Sequence, residues 1–320
     1  MPRQGIETII LLNGIMKKVS IITVNFNQPK VTEELLQSIP DTYENLEIIV
    51  VDNGSRIEPD KNWHKKFPGV TFIRSEQNLG FAGGNNLGIN ASTGDYLFLV
   101  NNDTEFTEGL VEKLVKVMDE NPAIGMVSPM IKYFNDKGLI QYAGYTPMNY
   151  YTCRNSCIGL REKDNGQYNN INAPTAYCHG AAMMIRKDAI EKAGLMSENF
   201  FLYYEEVDWC EHIKRAGYEA WICTQALIYH KESVSVGKKS KLKEYFMNRN
   251  RILFIRRNAP FFKRVIFYPY FILLVVPRNL LAYIKDKNHS FISTLLKAVW
   301  WNFTHSKNSK NLGYPIKSIS

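Results

Sequence analysis

Four short groups of acidic and polar residues carry the side chains with which this 320-residue chain could do chemistry. They are Asp52-Asn53-Gly54-Ser55, Asn101-Asn102-Asp103, Glu205-Glu206-Val207-Asp208 and Tyr229-His230. The first two groups follow the apolar runs 46–51 and 96–100, which are typical of buried strands. In open α/β sheets, ligands bind beyond the carboxyl ends of the strands. The pattern predicts a site for a nucleotide and a divalent metal.

Two of these groups supply the atoms that a divalent cation binds. Asp103 offers a carboxylate oxygen, His230 an imidazole nitrogen and Asn101 a neutral amide oxygen. Mg²⁺ or Mn²⁺ held there would act as a Lewis acid on a departing diphosphate, which would supply much of the coordination. Each motif alone has a simpler explanation, since Asn and Asp form turns and a strand-end histidine often binds a neighbouring carbonyl.

The third group could supply a general base. Glu205, Glu206 and Asp208 stand at the start of a predicted helix that ends at Gly217. The helix dipole alone favours acidic residues there. Three carboxylates within four positions exceed that need, and their repulsion should raise at least one pKa, which suits a base that takes a proton from a substrate hydroxyl.

Strands and helices alternate along the first 230 residues. Strands are predicted at 19–24, 46–52, 70–74, 96–100 and 181–185, and helices at 31–39, 109–121 and 187–193. The glycine-rich stretch 78–88 is predicted to bring the backbone close to a ligand, which its asparagines could bind. The alternation predicts an α/β fold with a mostly parallel, doubly wound central sheet.

Tyrosines concentrate in the less regular segment 130–177. They are Tyr142, Tyr145, Tyr150, Tyr151, Tyr168 and Tyr177. Aromatic faces pack on the apolar faces of sugar rings, so the segment could form an acceptor cleft; an irregular cap with half-buried tyrosines explains it equally well.

The charge divides the chain into an acidic body and a basic tail. Residues 231–320 hold 18 Lys and Arg against 3 Asp and Glu, within a chain of net charge +8. The tail contains a predicted basic and aromatic helix, 241–258, and an apolar run, 265–277, which is shorter than the ~20 residues of a membrane span. We expect peripheral attachment at a membrane surface, with a helical cap on the catalytic body, a span and an oligomer contact as alternatives.

Composition and missing motifs exclude several classes. The five cysteines are odd in number and lack metal-site spacing, so we expect reduced thiols. No Gly-x-Gly-x-x-Gly follows the first strand, which argues against a dinucleotide-dependent oxidoreductase, and no phosphate-binding loop of the nucleotidase kind is present. The acidic body argues against nucleic acid as a partner. The apolar run 9–12 is too short for an export signal.

The groups together carry a resemblance. The stretches VSIITVNFN, IIVVDNGS, NLGFAGGNNLGI, GDYLFLVNND, HGAAMMIRKDAIEKAGLMSENFFLYYEEVDWCEHIKRAGY and ALIYH resemble the successive motifs of family 2 glycosyltransferases, within that family the bacterial rhamnosyltransferase-like branch. The resemblance spans about residues 18–258. It implies a glycosyltransferase-A fold, with a Rossmann-like, mostly parallel sheet flanked by helices and followed here by a helical basic and aromatic extension.

The resemblance also implies roles for individual residues. Asp103, Asn101 and His230 would bind the metal, and Glu206 would be the base, with Glu205 or Asp208 as alternatives because the family more often has Glu-Asp at 205–206. A further departure, Leu195-Met196-Ser197-Glu198, falls on the acceptor side. The nucleotide would be held by Thr23, Asn25, Asp52, Asn53, Asn78, Gly80, Asn85 and Asn102.

The implied activity is inverting, metal-dependent transfer of a sugar from a nucleoside diphosphate donor to a glycan or lipid-linked glycan hydroxyl, during cell-surface polysaccharide synthesis. Rhamnose from dTDP-rhamnose is the leading donor, followed by a UDP-hexose, and a non-catalytic sugar-binding module on the same fold is the alternative. We expect a dispensable extension at 1–17, a catalytic domain at 18–240 with halves meeting at 128, and a membrane-associating region at 241–320. The expected location is cytoplasmic, at the inner face of the cell membrane.

Overall fold

A computed structural model describes residues 16–57, 62–232 and 240–316 of the chain. Nearly all of the predicted N-terminal extension therefore lies outside the described residues, as does most of the link before residue 241. Within them the strands are β1 (Val19–Asn25), β2 (Leu46–Asn53), β3 (Val70–Ser75), β4 (Tyr96–Asn101), β5 (Thr104–Phe106), β6 (Ile124–Tyr133), β7 (Ile140–Tyr142), β8 (Asn172–Pro174), β9 (Ala182–Arg186) and β10 (Glu219–His230). The helices are α1 (Pro29–Ser38), α2 (Trp63–Lys66), α3 (Gly80–Ala91), α4 (Leu110–Glu120), α5 (Lys187–Ala193), α6 (Glu205–Arg215), α7 (Lys241–Asn258), α8 (Phe261–Tyr270), α9 (Val276–Lys285) and α10 (His289–Thr304).

The strands form one mixed sheet with the order β3-β2-β1-β4-β9-β6-β10-β5, in which β7 pairs with β6 and β8 with β10. The neighbours β3, β2, β1 and β4 are all parallel, as predicted for the nucleotide-binding half. β9 is antiparallel to both β4 and β6, so the second half is mixed. The physical reason is the segment between β6 and β9, which contains short strands and turns and lacks the crossover helix that a parallel return requires.

Both faces of the sheet are buried. Ile22, Val51 and Leu99 point to a core that Trp209 of α6 and Phe254 of α7 complete. Ile21, Phe98 and Met184 point to the other face, against Leu114 and Met118 of α4. This alternation follows from the two-residue period of a strand. The sheet therefore places its polar strand ends at a rim that helices support from both sides.

Residues 80–88 of the glycine-rich stretch 78–88 lie in the helix α3, which the sequence pattern did not predict. Its glycines permit close packing: a Cβ on Gly84 would lie 2.9 Å from Cγ1 of Val24, and one on Gly88 would lie 2.3 Å from Cγ2 of Ile22. Only the start of the helix, at Gly80, Phe81 and Asn85, borders the cavity described below. Glycine here serves contact between α3 and the sheet.

The C-terminal helices pack on the catalytic body. The predicted helix at 241–258 forms with those bounds as α7, but its residues Ile252, Leu253 and Phe254 lie in the main core, so it is an integral part of the body. Residues Phe261–Lys285 form one continuous helix of 25 residues, because a π-helical segment, Phe271–Val275, joins α8 to α9. Among the described residues, this is the one helix long and apolar enough to cross a membrane, judged by length and composition.

Candidate active site

A cavity of about 310 Å³ opens where β1, β2 and β4 end. It brings together eight of the residues that the sequence predicts for the site: Asn53, Asn78, Gly80, Asn85, Asn101, Asn102, Asp103 and His230. Phe81, Phe201 and Tyr203 add aromatic walls. The predicted arrangement at the carboxyl ends of the strands is therefore present, and one crevice joins the nucleotide-binding and metal-binding candidates.

Asp103 and His230 contact each other in this crevice. Oδ1 of Asp103 lies 3.1 Å from Nε2 of His230, and both side chains are more than nine-tenths buried. Nδ1 of His230 lies 2.9 Å from the amide oxygen Oε1 of Gln141, which can only accept a hydrogen bond. The proton of a neutral His230 is therefore on Nδ1, and the Nε2 lone pair faces the carboxylate. In that tautomer a cation between Nε2 and the carboxylate would link the two acceptors, whereas an imidazolium would donate to both Asp103 and Gln141.

The pair fits a divalent cation. Two ligands at right angles around an octahedral cation, each about 2.1 Å from it, lie about 3 Å apart, as do the two atoms of this pair. The bond from His230 to Gln141 is the kind of outer contact that orients a metal-ligating histidine. Within the described residues no third His, Cys, Asp or Glu completes a metal cluster. Such a cation would depend on Asn101, water and the diphosphate for its remaining ligands.

On the nucleotide side, three predicted residues lie at the ends of β1 and β2. Asn25 donates through Nδ2 to Oδ1 of Asp52, 2.9 Å away, and the second carboxylate oxygen of Asp52 lies 3.3 Å from Nη1 of Arg74. That second oxygen is buried without a hydrogen bond, and so is the hydroxyl of Thr23. Neither Asn25 nor Asp52 is among the residues that line the cavity, although Asp52 adjoins Asn53, which does. Thr23 lies fully inside the sheet and outside the cavity lining.

The other predicted asparagines shape the cavity wall. Asn53 donates through Nδ2 to the carbonyl of Gly80, 3.0 Å away, and its Oδ1 accepts from the backbone N–H of Leu79 at 2.9 Å. Oδ1 of Asn78 accepts from the backbone N–H of Gly80 at 2.9 Å. These bonds fix the start of α3. Asn102 donates to the hydroxyl of Thr32 at 3.0 Å, and Asn85 donates to the carbonyl of Phe81 at 2.9 Å.

The turn His179-Gly180-Ala181 lies between the pair of candidate metal ligands, Asp103 and His230, and the candidate base Glu206. The carbonyl of Ala181 accepts a 2.9 Å hydrogen bond from the backbone N–H of Asn101. The ring of His179 meets that of His230 edge to face, with centroids 6.3 Å apart. Gly180 lies against Glu206, because a Cβ on Gly180 would be 3.5 Å from Cγ of Glu206. Glu206 thus lies across one short turn from Asp103 and His230.

The two adjacent glutamates differ in environment. Burial raises the pKa of Glu206 above its ordinary value, although backbone N–H groups at the start of α6 oppose the shift. Burial and the nearby Glu206 raise the pKa of Glu205 well above its ordinary value. Glu205 is the more buried of the two, and its Oε2 has no hydrogen-bond partner. Glu206, half-buried and beside Gly180, is the better placed to meet a substrate.

None of the three carboxylates Glu205, Glu206 and Asp208 is among the residues that line the cavity, and Asp208 is bound elsewhere. It is fully buried and accepts hydrogen bonds from Nε of Arg257 at 3.0 Å, from Nη2 of the same arginine at 3.1 Å and from Nδ2 of Asn258 at 2.6 Å. These bonds connect α6 to the end of α7, and the positive charge of Arg257 balances the negative charge of Asp208. Three carboxylates in a row therefore divide into one candidate base, one buried neighbour and one ion pair.

The six tyrosines of segment 130–177 differ in burial: Tyr142 and Tyr177 are buried, Tyr145, Tyr150 and Tyr168 are half-buried, and Tyr151 is exposed. The hydroxyl of Tyr142 donates to the carbonyl of Tyr177 at 2.8 Å, and the ring of Tyr150 stacks on Phe254. Tyr145 lies parallel to His179, with ring centroids 6.1 Å apart, and it reaches the base side of the crevice. The ring of Tyr142 also meets that of His179, with centroids 5.2 Å apart, so two of the six tyrosines contact the turn beside Glu206.

Sequence reasoning missed several residues that support the site. Gln141 orients His230. His179 and Gly180 lie between Glu206 and the candidate metal ligands Asp103 and His230. Asn250 of α7 binds the segment that precedes Glu206. His179 and Gly180 belong to the quoted stretch HGAAMMIRKD, so a signal existed for them. Gln141 lies in the irregular segment and Asn250 in the basic tail, where no pattern indicated a role.

Comparisons with known proteins agree with this geometry. A family model described as glycosyl transferase family 2 matches residues 20–194. The chain is similar to the low-salt glycan biosynthesis hexosyltransferase Agl10 of Haloferax volcanii, with 28% identity over 256 residues, covering 78% of this chain and 79% of that protein. It is more distantly similar to the N-acetylglucosaminyl-diphospho-decaprenol L-rhamnosyltransferase of Mycobacterium tuberculosis, with 20% identity, covering 68% of this chain and 77% of that protein.

Solved structures show the same fold at low identity. TarS of S. aureus, residues 1–349 in complex with UDP-GlcNAc, has a TM-score of 0.57 and 15% identity, covering 89% of this chain and 81% of that one. The mannosyltransferase PcManGT of Pyrobaculum calidifontis, with GDP-Man and Mn²⁺, has a TM-score of 0.53 and 16% identity, covering 92% and 77%. GalNAc-T7 with UDP, GalNAc and Mn²⁺ has a TM-score of 0.58 and 13% identity; 76% of this chain is covered, which spans 48% of that chain.

Proposed function

The chain belongs to glycosyl transferase family 2 and has the glycosyltransferase-A fold, and from this premise we propose that it is an inverting, metal-dependent glycosyltransferase. The observation that carries the proposal is the buried contact between Asp103 and His230, with Glu206 across the turn His179-Gly180-Ala181. The candidate cation ligands line the cavity, and the carboxylate with a raised pKa lies behind this turn, outside the lining residues.

In the proposed reaction, Glu206 accepts the proton of an acceptor hydroxyl. The freed oxygen attacks the anomeric carbon of the donor sugar from the side opposite the diphosphate, the bond to the diphosphate breaks, and the configuration inverts. Burial suits Glu206 to this role, because a raised pKa makes a carboxylate a stronger base. Asp103, His230 and Asn101 would hold Mg²⁺ or Mn²⁺, which supplies Lewis-acid stabilisation of the nucleoside diphosphate that leaves.

The leading donor is dTDP-rhamnose, with a UDP-hexose as the other candidate. The resemblance implies that Asp52 faces the pyrimidine of the donor; Asp52 adjoins Asn53, which lines the cavity. The two relatives named above are a hexosyltransferase and a rhamnosyltransferase, which favours a sugar of this class. We propose a glycan or lipid-linked glycan as acceptor, in cell-surface polysaccharide synthesis, since the second relative's name contains a decaprenol-linked sugar.

A release assay tests this proposal. The purified full chain is incubated with a panel of nucleotide sugars and Mg²⁺ or Mn²⁺, and nucleoside diphosphate is measured. We expect metal-dependent release from dTDP-rhamnose or a UDP-hexose, and a product whose anomeric proton coupling shows inversion. Release that is unaffected by removing divalent cations, or a product with retained configuration, would contradict the proposed chemistry.

We further propose that the helix 261–285 rests on the cytoplasmic surface of the cell membrane, as the peripheral attachment of a cytoplasmic enzyme. One of its faces packs on the catalytic body through Phe267, Phe271 and Val275, which are buried and spaced four residues apart. The opposite face is apolar yet exposed, with Phe262 78% and Leu273 68% accessible. Because one face of the helix is held against the body, this arrangement favours a helix that lies at the membrane surface over one that crosses the bilayer.

The surface continues onto α10 and is flanked by positive charge. Exposed Trp300 and Phe303 of α10 extend the apolar area, and the ring of Phe303 lies 6.2 Å from that of Tyr268 in α8. Lysines and arginines border it at Lys263, Arg264, Arg278, Lys285, Lys287 and Lys297. Apolar side chains with basic neighbours match the acyl boundary and anionic headgroups of a bilayer.

Vesicle sedimentation distinguishes a membrane from other occupants of this surface. We expect the protein to sediment with vesicles that contain anionic lipid, and the double variant Leu273→Ser with Leu274→Ser to remain in solution. Leu160→Ser is the matched control, because Leu160 is also exposed but lies on the catalytic body. Equal sedimentation of all three proteins, or a stable dimer that the double variant dissociates without any vesicle binding, would refute membrane attachment.

A further inference from the structure

The segment that leads into Glu206 has an unusual backbone. Phe201, Tyr203 and Tyr204 have φ angles of 65°, 69° and 73°. This left-handed region is sterically unfavourable for residues with a Cβ, and bulky residues adopt it rarely. Three such residues within four positions persist only where the surroundings hold them. The conformation just before α6 sets where Glu206 points, so whatever holds it also positions the candidate base.

Two consecutive residues of α7 hold this segment. Asn250, which is fully buried, donates through Nδ2 to the carbonyls of Phe200 at 2.9 Å, Leu202 at 2.8 Å and Tyr203 at 2.9 Å. An amide nitrogen has only two hydrogens, so three carbonyls share them. Arg249, also fully buried, donates to the carbonyl of Asn199 and stacks on Trp301 of α10. Four carbonyls of the segment 199–203 thus converge on α7.

The same segment is held from the opposite side by α3. The carbonyl of Phe201 accepts a 2.7 Å hydrogen bond from the backbone N–H of Phe81, and it is the atom nearest to the place of a Cβ on Gly80. Between these two supports, Phe201, Leu202 and Tyr203 form part of the cavity wall. The segment is therefore clamped between the start of α3, which borders the cavity, and the middle of α7.

We propose that Asn250 is a positioning residue for catalysis, which fixes the segment 199–204 and through it the orientation of Glu206 and the cavity wall. The C-terminal helix α7 is then a component of the active site, although it lies beyond residues 20–194 that match the family model. The inference rests on the proposed function only for the role of Glu206 as base. The clamp itself is a structural claim with its own test.

Asn250→Ala and Asn250→Asp test the proposal, with Asn248→Ala as matched control. Asp keeps the shape of Asn but cannot donate, so it separates lost hydrogen bonds from lost volume. Asn248 is buried on the same helix and binds Glu244 rather than the segment 199–204. We expect both Asn250 variants to lower kcat by about 10²-fold, the size of a misplacement of ~1 Å, and to raise the KM for the donor by a smaller factor, because the segment also forms part of the cavity wall. The acid limb of the pH profile of kcat should also move, because the surroundings of Glu206 change.

Hydrogen exchange provides a readout independent of activity. Backbone amides of 199–206 should exchange faster in both Asn250 variants and remain unchanged in Asn248→Ala. If neither variant folds, Asn250→Ser, which keeps one donor, should show both effects at intermediate size. A folded Asn250 variant with kcat within twofold of the parent overturns the proposal, as does unchanged exchange of 199–206. Should the parent chain transfer no sugar, faster exchange would still establish the clamp, while the proposed function would fail separately.

Discussion

Gly80→Ala should destabilise the protein by about 1.5–3.5 kcal/mol, from two terms that the structure separates. The first is conformational, because Gly80 has a φ of +74° and an L-residue there costs about 1–2 kcal/mol. The second is steric. The new Cβ would lie 2.2 Å from the carbonyl oxygen of Phe201, which must withdraw. The hydrogen bond from the N–H of Phe81 to that oxygen, now 2.7 Å, would be lost at a net cost of about 0.5–1.5 kcal/mol.

Two other glycines isolate these terms in chemical denaturation experiments. Gly217 has a φ of +92° with no atom near the place of a Cβ, so Gly217→Ala should show the conformational cost alone. Gly69 has neither feature, and Gly69→Ala should leave the free energy of unfolding nearly unchanged. The reasoning is refuted if Gly80→Ala costs no more than Gly217→Ala. Weaker nucleotide binding should accompany only the Gly80 variant, since Gly80 alone of the three lines the cavity.

Two further predictions concern Glu205, which adjoins the candidate base, and Gln141, which contacts the candidate metal ligand His230. Because the folded-state pKa of Glu205 is raised, the stability linked to its protonation is present at low pH and lost as the pH rises through that pKa. In thermal unfolding, the stability of Glu205→Gln relative to the parent should therefore increase with pH. The same difference in stability between the two proteins at pH 5 and at pH 8 would contradict the raised pKa of Glu205. Gln141→Leu removes the acceptor that orients His230 and should weaken Mn²⁺ binding about 10–100-fold in calorimetry. Gln167 is exposed, so Gln167→Leu should leave Mn²⁺ binding unchanged. Equal affinity of Gln141→Leu and the parent for Mn²⁺ would show that Gln141 does not orient a metal ligand.

The strand ends could be predicted from the sequence because their signals are local. The apolar runs before Asp52 and Asn101 are long enough to be buried strands, and parallel strands bring their carboxyl ends to one rim. The parallel direction of the strands in the first half follows from the alternation of strands and helices, whereas their order was not predicted. The helix at the glycine-rich stretch was not predicted, since glycine lowers helix propensity, whereas Gly84 and Gly88 of α3 are needed for contact with the sheet.

The partners of the polar groups could not be predicted, because they come from far along the chain. Asp208 looked like its neighbour Glu206 in sequence, and its capture by Arg257, 49 residues later, decides its different role. The basic residues of the tail suggested a solvated or membrane-facing helix, but Arg249 is fully buried against Trp301. Burial of an arginine in this way depends on tertiary packing that no local pattern records.

The central proposal is that Glu206 is the general base and Asp103 a metal ligand. Its most direct test compares donor binding and turnover in Glu206→Gln and Asp103→Ala with Mn²⁺ present. Glu206→Gln should bind the nucleotide sugar within a few-fold of the parent and lose turnover by ~10²-fold or more, as expected for a missing general base. Asp103→Ala should lose the Mn²⁺-stimulated part of donor binding. Normal turnover by Glu206→Gln, or unchanged Mn²⁺ stimulation in Asp103→Ala, would contradict the account.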